Sequence, residues 1–183
     1  TVRKQAQERI EFLALHDALT QLPNRLYLDE YMERTLALAR RQRKAVALLF
    51  IDLDEFKQIN DTLGHQAGDD VLRETARRLR AAVRESDLVA RLGGDEFLIV
   101  LTNIESMYDT ERVASSVLAA MQPPVLLKRQ VVAVLPSIGI AMFPHDGDSM
   151  DELIRWADTA MYQAKDAGGN RYKFAEAGSR AAR

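Results

Sequence analysis

A chain of 183 residues, 47% apolar and 28% charged, has the composition of one globular domain with a core of its own. Its net charge of −2 leaves no electrostatic footprint for nucleic acid, which calls for a strongly basic face. Cysteine is absent, which removes disulfides and thiolate metal sites and fits a reducing, cytoplasmic setting. No run approaches the ~18 apolar residues of a membrane span, so direct membrane insertion is not expected.

The chain starts at Thr1 without Met or a signal peptide, as a piece of a longer protein would. Over residues 1–16, Val2, Ala6, Ile10 and Leu13 recur at helical spacing with charges opposite. The expectation is the end of a linker or coiled-coil helix arriving from an upstream domain. Asp17 to Arg25 is a turn-rich break, with Asn24 as N-cap for a helix from about Arg25 to Arg43. Asp17 and Arg25 are expected to pair there.

Ala45 to Ile51 is a continuous apolar run, suited to a strand buried on both faces. It ends in Asp52-Leu53-Asp54, a place where ligands collect in layered α/β sheets. Side chains at i and i+2 share a face, so both carboxylates can serve one site. The preferred division gives Asp52 to the site and makes Asp54 the cap of a short helix, Glu55–Leu63. On that helix Phe56, Ile59 and Leu63 form the buried stripe, with Lys57 and Asn60 on a neighbouring face.

Gly64 to Asp69 reads as a glycine-bounded turn carrying His65 and Asp69. A helix from about Gln66 to Arg84 then buries Val71, Leu72, Thr75, Ala76, Leu79 and Val83. Arg73, Arg77, Arg78 and Arg80 are assigned to its outer face. After Arg84-Glu85-Ser86-Asp87, strands Leu88–Leu92 and Phe97–Leu101 flank Gly93-Gly94, read as a two-residue hairpin turn. Asp95 and Glu96 follow it, and adjacent carboxylates repel unless a cation sits between them. A helix from about Glu105 to Met121 is broken by Pro123-Pro124. Strands Val125–Leu127 and Val131–Phe143 come next, joined at Lys128-Arg129-Gln130. In the second strand, Ser137 to Ala141 alternates small and β-branched residues, which suits close packing beside a site. Ser149 or Asp148 caps a helix ending near Gly168-Gly169. A short strand, Asn170–Phe174, and a helical or frayed tail complete the chain.

Six motifs in one order resemble the GGDEF family of diguanylate cyclases. They are Asp17-Ala18-Leu19-Thr20 with Leu22-Pro23-Asn24-Arg25; Asp52-Leu53-Asp54-Glu55-Phe56-Lys57 with Asn60-Asp61; Gly64-His65 with Gly68-Asp69; Arg91 to Phe97; Ser137 to Ala141; and Ala157-Asp158, Ala160-Met161-Tyr162 and Ala164-Lys165. The resemblance implies an α/β fold of the nucleotidyl-cyclase and polymerase-palm kind, with a mostly antiparallel central sheet of about five strands wrapped by helices. It divides the chain into a linker helix (1–16), the GGDEF domain (17–174) and a connector (175–183).

The resemblance further implies joining of two GTP into cyclic di-GMP with release of two pyrophosphates, at the interface of a homodimer. It assigns Mg²⁺ (or Mn²⁺) to Asp52, the Leu53 carbonyl, Asp95 and Glu96. Catalytic positions are Gly93, Gly94, Asp95 and Glu96, the glycines admitting backbone close to the nucleotide. Substrate-binding positions are Phe56, Lys57, Asn60, His65, Asp69 and Lys165: Asn60 and Asp69 for guanine, the lysines for phosphate. Arg84 and Asp87 match the family's RxxD product-inhibition site, with Arg112 or Ser116 where a second arginine is common. Expected partners are GTP, cyclic di-GMP, a second copy and an upstream sensor domain, with a downstream EAL domain in the alternative reading of a GTP- or cyclic di-GMP-binding regulator within a GGDEF–EAL protein. The chain departs from the family at Gly169, where arginine is common, and at Gln21, where glycine is.

Overall fold

The computed structural model describes residues 1–176, so most of the expected connector lies outside the described residues. Helices α1 (Val2–Leu15) and α2 (Arg25–Gln42) precede strand β1 (Ala45–Leu53). Helices α3 (Phe56–Leu63) and α4 (His65–Ala82), strands β2 (Leu88–Gly93) and β3 (Glu96–Ile104), and helix α5 (Met107–Met121) follow. Strands β4 (Val125–Leu126), β5 (Val131–Val132) and β6 (Pro136–Phe143), helix α6 (Met150–Asp166) and strand β7 (Arg171–Phe174) complete it. The main sheet has the order β2-β3-β1-β6-β7, antiparallel except for the parallel β6–β7 pair. This is the expected five-stranded, mostly antiparallel α/β architecture.

β1 is central because it is apolar on both faces. Ala47, Leu49, Ile51 and Leu53 enter one core with α3, α4 and α5. Val46, Leu48 and Phe50 enter a second core with α2 and α6. Strand side chains alternate faces, so a strand covered by helices on both sides reads as an unbroken apolar run. Burying each large side chain contributes about 1.5–3 kcal/mol relative to exposure. α2 starts where expected, with Asn24 Oδ1 accepting the Tyr27 amide at 3.1 Å. α1 buries no residue, and Val2, Ile10 and Leu13 stand exposed.

The structure corrects several local readings. The hairpin turn is shifted by one residue: Gly93 pairs with Glu96, leaving Gly94 and Asp95 at the tip and moving Glu96 into the strand. The φ of +51° at Gly94 is the left-handed conformation that favours glycine. Val131–Phe143 is two strands in two sheets, since β5 pairs with β4 and β6 with β1. His65 to Asp69 are the first turn of α4, with Gly64 as its N-cap. Arg78 is buried rather than on the outer face. It donates to the carbonyls of Pro123 and Pro124 and to Glu74; carbonyls just past a helix end need such outside donors.

Candidate nucleotide and metal site

Sheet parity places the carboxylates. Val46, Leu48 and Phe50 alternate onto the α6-covered face, and two residues beyond Phe50 the same face receives Asp52. Asp52 pairs with Glu96 on one side and Ser137 on the other. Gly93 and Arg171 extend that row to the sheet edges. The site is thus a polar row ending an otherwise apolar face. The α6 lysine closes it: Lys165 Nζ lies 3.1 Å from Asp52 Oδ1. The contact lacks hydrogen-bond alignment, and the buried Oδ1 has no hydrogen-bond partner.

Burial raises the Asp52 pKa to about 6, helped by the Asp95 carboxylate beside it and opposed by Lys165. The Glu96 carboxyl is also pushed up, by burial and then by Asp52 and Asp158, with Lys165 opposing. Asp158 rises through burial and the Asp52 charge. An excess of carboxylates over nearby cations in a partly desolvated place is what a divalent cation relieves. Among the described residues no three carboxylate or imidazole groups already form a metal cage. Asp158, part of the α6 motif, is a further acidic group of the site that the motif alone leaves without a role. Its spacing of seven residues from Lys165, two helical turns on one face of α6, is the signal for it.

Asp54 does not cap α3. Its carboxylate accepts from Ser137 Oγ at 2.6 Å and from the Asn170 amide at 3.0 Å, while Glu55 occupies the N-cap position with φ of +60°. Parity is the reason: Asp54 shares the face of Asp52 and Ser137. Its carboxylate also fills the space over Gly169, where a Cβ would come within 2.3 Å of Asp54 Oδ2. Gly169 has φ +69°, so a side chain there is strained twice. Gly169→Arg is expected to destabilise the domain by roughly 1–3 kcal/mol without tightening GTP binding. Urea denaturation and a nucleotide titration check both halves. Arg171, the other candidate for a phosphate contact, donates through Nε to the Gly169 carbonyl at 3.0 Å.

The signature turn is tied to the start of the domain. Arg91 Nε and Nη2 donate to the Gly94 carbonyl at 3.1 and 2.7 Å. Its Nη1 reaches both Asp17 oxygens, at 3.1 and 3.0 Å. Asp17 therefore pairs with Arg91, whereas Arg25 pairs with Asp29 and Asp151. Asp17 is held by Thr20 through hydroxyl and amide, a turn that no sequence spacing connects to Arg91.

The guanine-side candidates cluster on α3 and the first turn of α4. Asn60 is half-buried, with its Oδ1 over Gly68 so closely that a Cβ there would meet it at 1.9 Å. The Phe56 ring borders the same point at 3.2 Å and is buried in the core. Asp69 is half-buried, whereas Lys57 and His65 are exposed. Elsewhere, Arg84 and Asp87 line a cavity of about 270 Å³ together with Arg112. Ser116 instead lines a separate hollow with Arg77 and Arg78. Asp87 is buried and accepts the Arg84 amide at 3.0 Å.

Comparison with known proteins shows the family. Residues 14–171 match the family described as diguanylate cyclase, GGDEF domain. The chain is 46% identical over 164 residues to the bifunctional diguanylate cyclase/cyclic di-GMP phosphodiesterase MucR of Pseudomonas aeruginosa, covering 90% of this chain and 24% of that protein. It is 46% identical to the diguanylate cyclase TpbB of the same organism, covering 89% of this chain and 38% of TpbB. The structure of TpbB's GGDEF domain alone superposes with a TM-score of 0.87 at 45% identity, over 91% of this chain and 98% of that one. The coiled coil and GGDEF domain of DgcB from Caulobacter crescentus, solved in complex with c-di-GMP, gives a TM-score of 0.82 at 27% identity, over 94% and 91% of the two chains. The chain thus spans well under half the length of the curated relatives it matches. A carboxylate row on β1 and β3, a turn held by Arg91 and a family match over residues 14–171 agree: this chain belongs to the GGDEF diguanylate cyclase domain family.

Proposed function

We propose that this domain condenses two GTP molecules into cyclic di-GMP, with release of two pyrophosphates, when two copies face each other. The observation that carries the reading is the Glu96–Asp52 pair in one sheet row, with Asp52 held at a raised pKa beside Asp95. Triphosphates bring concentrated negative charge, which carboxylates alone would repel. Asp52, Asp95, Glu96 and the Leu53 carbonyl would hold a divalent cation, Mg²⁺ or Mn²⁺, together with water and the substrate's own phosphates. Bound there, it supplies neutralisation of phosphate charge at the reacting α-phosphate.

The chain's own groups supply the rest. Lys165 provides a point charge at the phosphate end of the site. The backbone at Gly93 and Gly94 lets the nucleotide lie close. Asn60 and Asp69 offer an amide and a carboxylate to the guanine edge. A nearby carboxylate would assist deprotonation of the attacking 3′-hydroxyl. Each domain would hold one GTP, so both reacting hydroxyls are satisfied only in the homodimer. Arg84, Asp87 and Arg112 around one cavity support a product-inhibition site, where guanidinium groups meet phosphate and Asp87 meets guanine. In the whole protein, α1 would transmit the state of an upstream sensor.

Gly169 favours a second reading, a slow or non-catalytic GTP-binding regulator, because Asp54 occupies the space an arginine would need. Turnover decides between them. The domain, held as a dimer by an added coiled coil, is incubated with Mg²⁺ and GTP and the product is identified by mass. The cyclase reading expects cyclic di-GMP from the wild type and at least ~10³-fold less from Asp95→Ala and Glu96→Ala, a loss of about 4 kcal/mol of transition-state stabilisation. GTP binding with no product from the forced dimer would select the regulator.

A further inference from the structure

β6 and α6 meet backbone to backbone. Gly139 lies in the row Leu98–Phe50–Gly139–Lys173, on the face that α6 covers. A Cβ built on it would stand 1.8 Å from the Ala157 carbonyl oxygen and 2.3 Å from the Met161 nitrogen. Those atoms are the acceptor and donor of one i to i+4 turn of α6. No side chain fits between strand and helix at that point, and Ala157, Ala160 and Ala164 keep the contacting side of the helix small and buried.

The same two elements carry the site one step further along. From Met161 to Lys165 is one turn, about 6 Å along the helix. From Gly139 to Ser137, the strand partner of Asp52, is two residues, about 6.7 Å. Helix and strand advance together, so the height of α6 over Gly139 is carried directly to Lys165 over Asp52.

We infer that Gly139 is a positioning residue for the nucleotide site: its missing Cβ sets how close α6 lies to the sheet and so brings Lys165 within ion-pair reach of Asp52. This rests on the nucleotide-site reading above. A methyl group at 139 has to displace the Ala157 carbonyl by about 1.5 Å to reach ordinary contact distance. The 3.1 Å contact between Lys165 and Asp52 is lost by such a shift. Asp158, adjacent to Ala157, moves with it, away from the carboxylates whose charge it senses.

The test is a binding cycle with a non-hydrolysable GTP analogue in Mg²⁺, read by calorimetry and therefore independent of turnover. Gly139→Ala and Lys165→Met are each expected to weaken binding roughly 10-fold, and the double variant to be no weaker than the weaker single. In the Gly139→Ala background, Lys165→Arg recovers most of the loss, because the longer guanidinium spans the widened gap; alone it does not tighten binding. Circular dichroism checks folding, and if Gly139→Ala is unfolded, Ala164→Val lifts the same helix more gently and enters the same cycle. Unchanged affinity in the folded variants, or independent losses that multiply to roughly 100-fold, overturns the positioning role. A wild type that binds no nucleotide overturns the nucleotide-site reading itself, and this inference with it.

Discussion

Asp52→Asn is expected to stabilise the metal-free domain at pH 7–8 while abolishing cyclic di-GMP formation. The Asp52 carboxyl has an ordinary value of 3.8 and is raised to about 6 in the fold, first by burial and then by Asp95. The folded state therefore holds its proton more tightly than the unfolded chain does. Folding stability contributed by this group is greatest below about pH 4, falls as pH rises from about 4 to 6, and stays low above that. A rise of this size corresponds to at most about 3 kcal/mol. Solvent screening and loss of the Lys165 contact reduce the gain, so about 1–2 kcal/mol is expected. Thermal melts in EDTA at pH 5 and pH 8 measure it: the wild type loses stability between the two, and the variant loses less. Equal pH dependence in both proteins would remove Asp52 as the source. The same carboxylate that weakens the empty fold is the one the cation needs, a trade of stability for activity common at functional sites.

Arg91→Met is expected to cost about 2–4 kcal/mol of stability and to lower turnover roughly 10- to 100-fold. The Arg91 side chain is only 10% exposed and that of Asp17 is 21% exposed. Removing one partner of a mostly buried pair leaves the other charge uncompensated. Burial pushes the Asp17 carboxyl up, but the Thr20 hydroxyl and amide together with Arg91 outweigh it and hold its pKa below 3.8. That contribution is present above about pH 4 and is lost as pH falls through the lowered value. The activity loss has a different origin: the Gly94 carbonyl loses both guanidinium donors, and the turn carrying Asp95 loosens against the β1 carboxylate. Urea denaturation gives the first number and initial rates the second. Asp17→Asn should follow in the same direction with smaller effects. Stability within 0.5 kcal/mol of wild type would show the pair to be idle.

What the sequence discloses here is what local periodicity and turn chemistry encode. The apolar run of β1, the Asn24 cap and the arginine-rich α4 are local, and so are the adjacent carboxylates Asp95 and Glu96. Most of the readings that shifted were decided by contacts far apart in the chain, and the hairpin by a bulge. Asp54 is a good helix cap by its neighbours, yet strand parity turns it to Ser137 and Asn170, 83 and 116 residues away. Gly93-Gly94 looks like a two-residue turn, but the bulge between Arg91 and Gly93 moves the tip onward and puts Glu96 opposite Asp52. Val131–Phe143 reads as one strand because β-branched residues continue through it; β4 captures its first two residues and β1 its last eight. Gly139 carries no local signal beyond smallness, since its meaning lies in a helix that begins only at Met150.

Metal-dependent nucleotide binding tests the central claim most directly. GTP is titrated into the wild type, Asp95→Ala and Lys165→Met by calorimetry, once with Mg²⁺ and once with EDTA. The carboxylate row predicts binding in the wild type that needs Mg²⁺, a loss of that dependence in Asp95→Ala, and weaker but still Mg²⁺-dependent binding in Lys165→Met. Wild-type affinity that is the same in Mg²⁺ and in EDTA would contradict a site built on Asp52, Asp95 and Glu96.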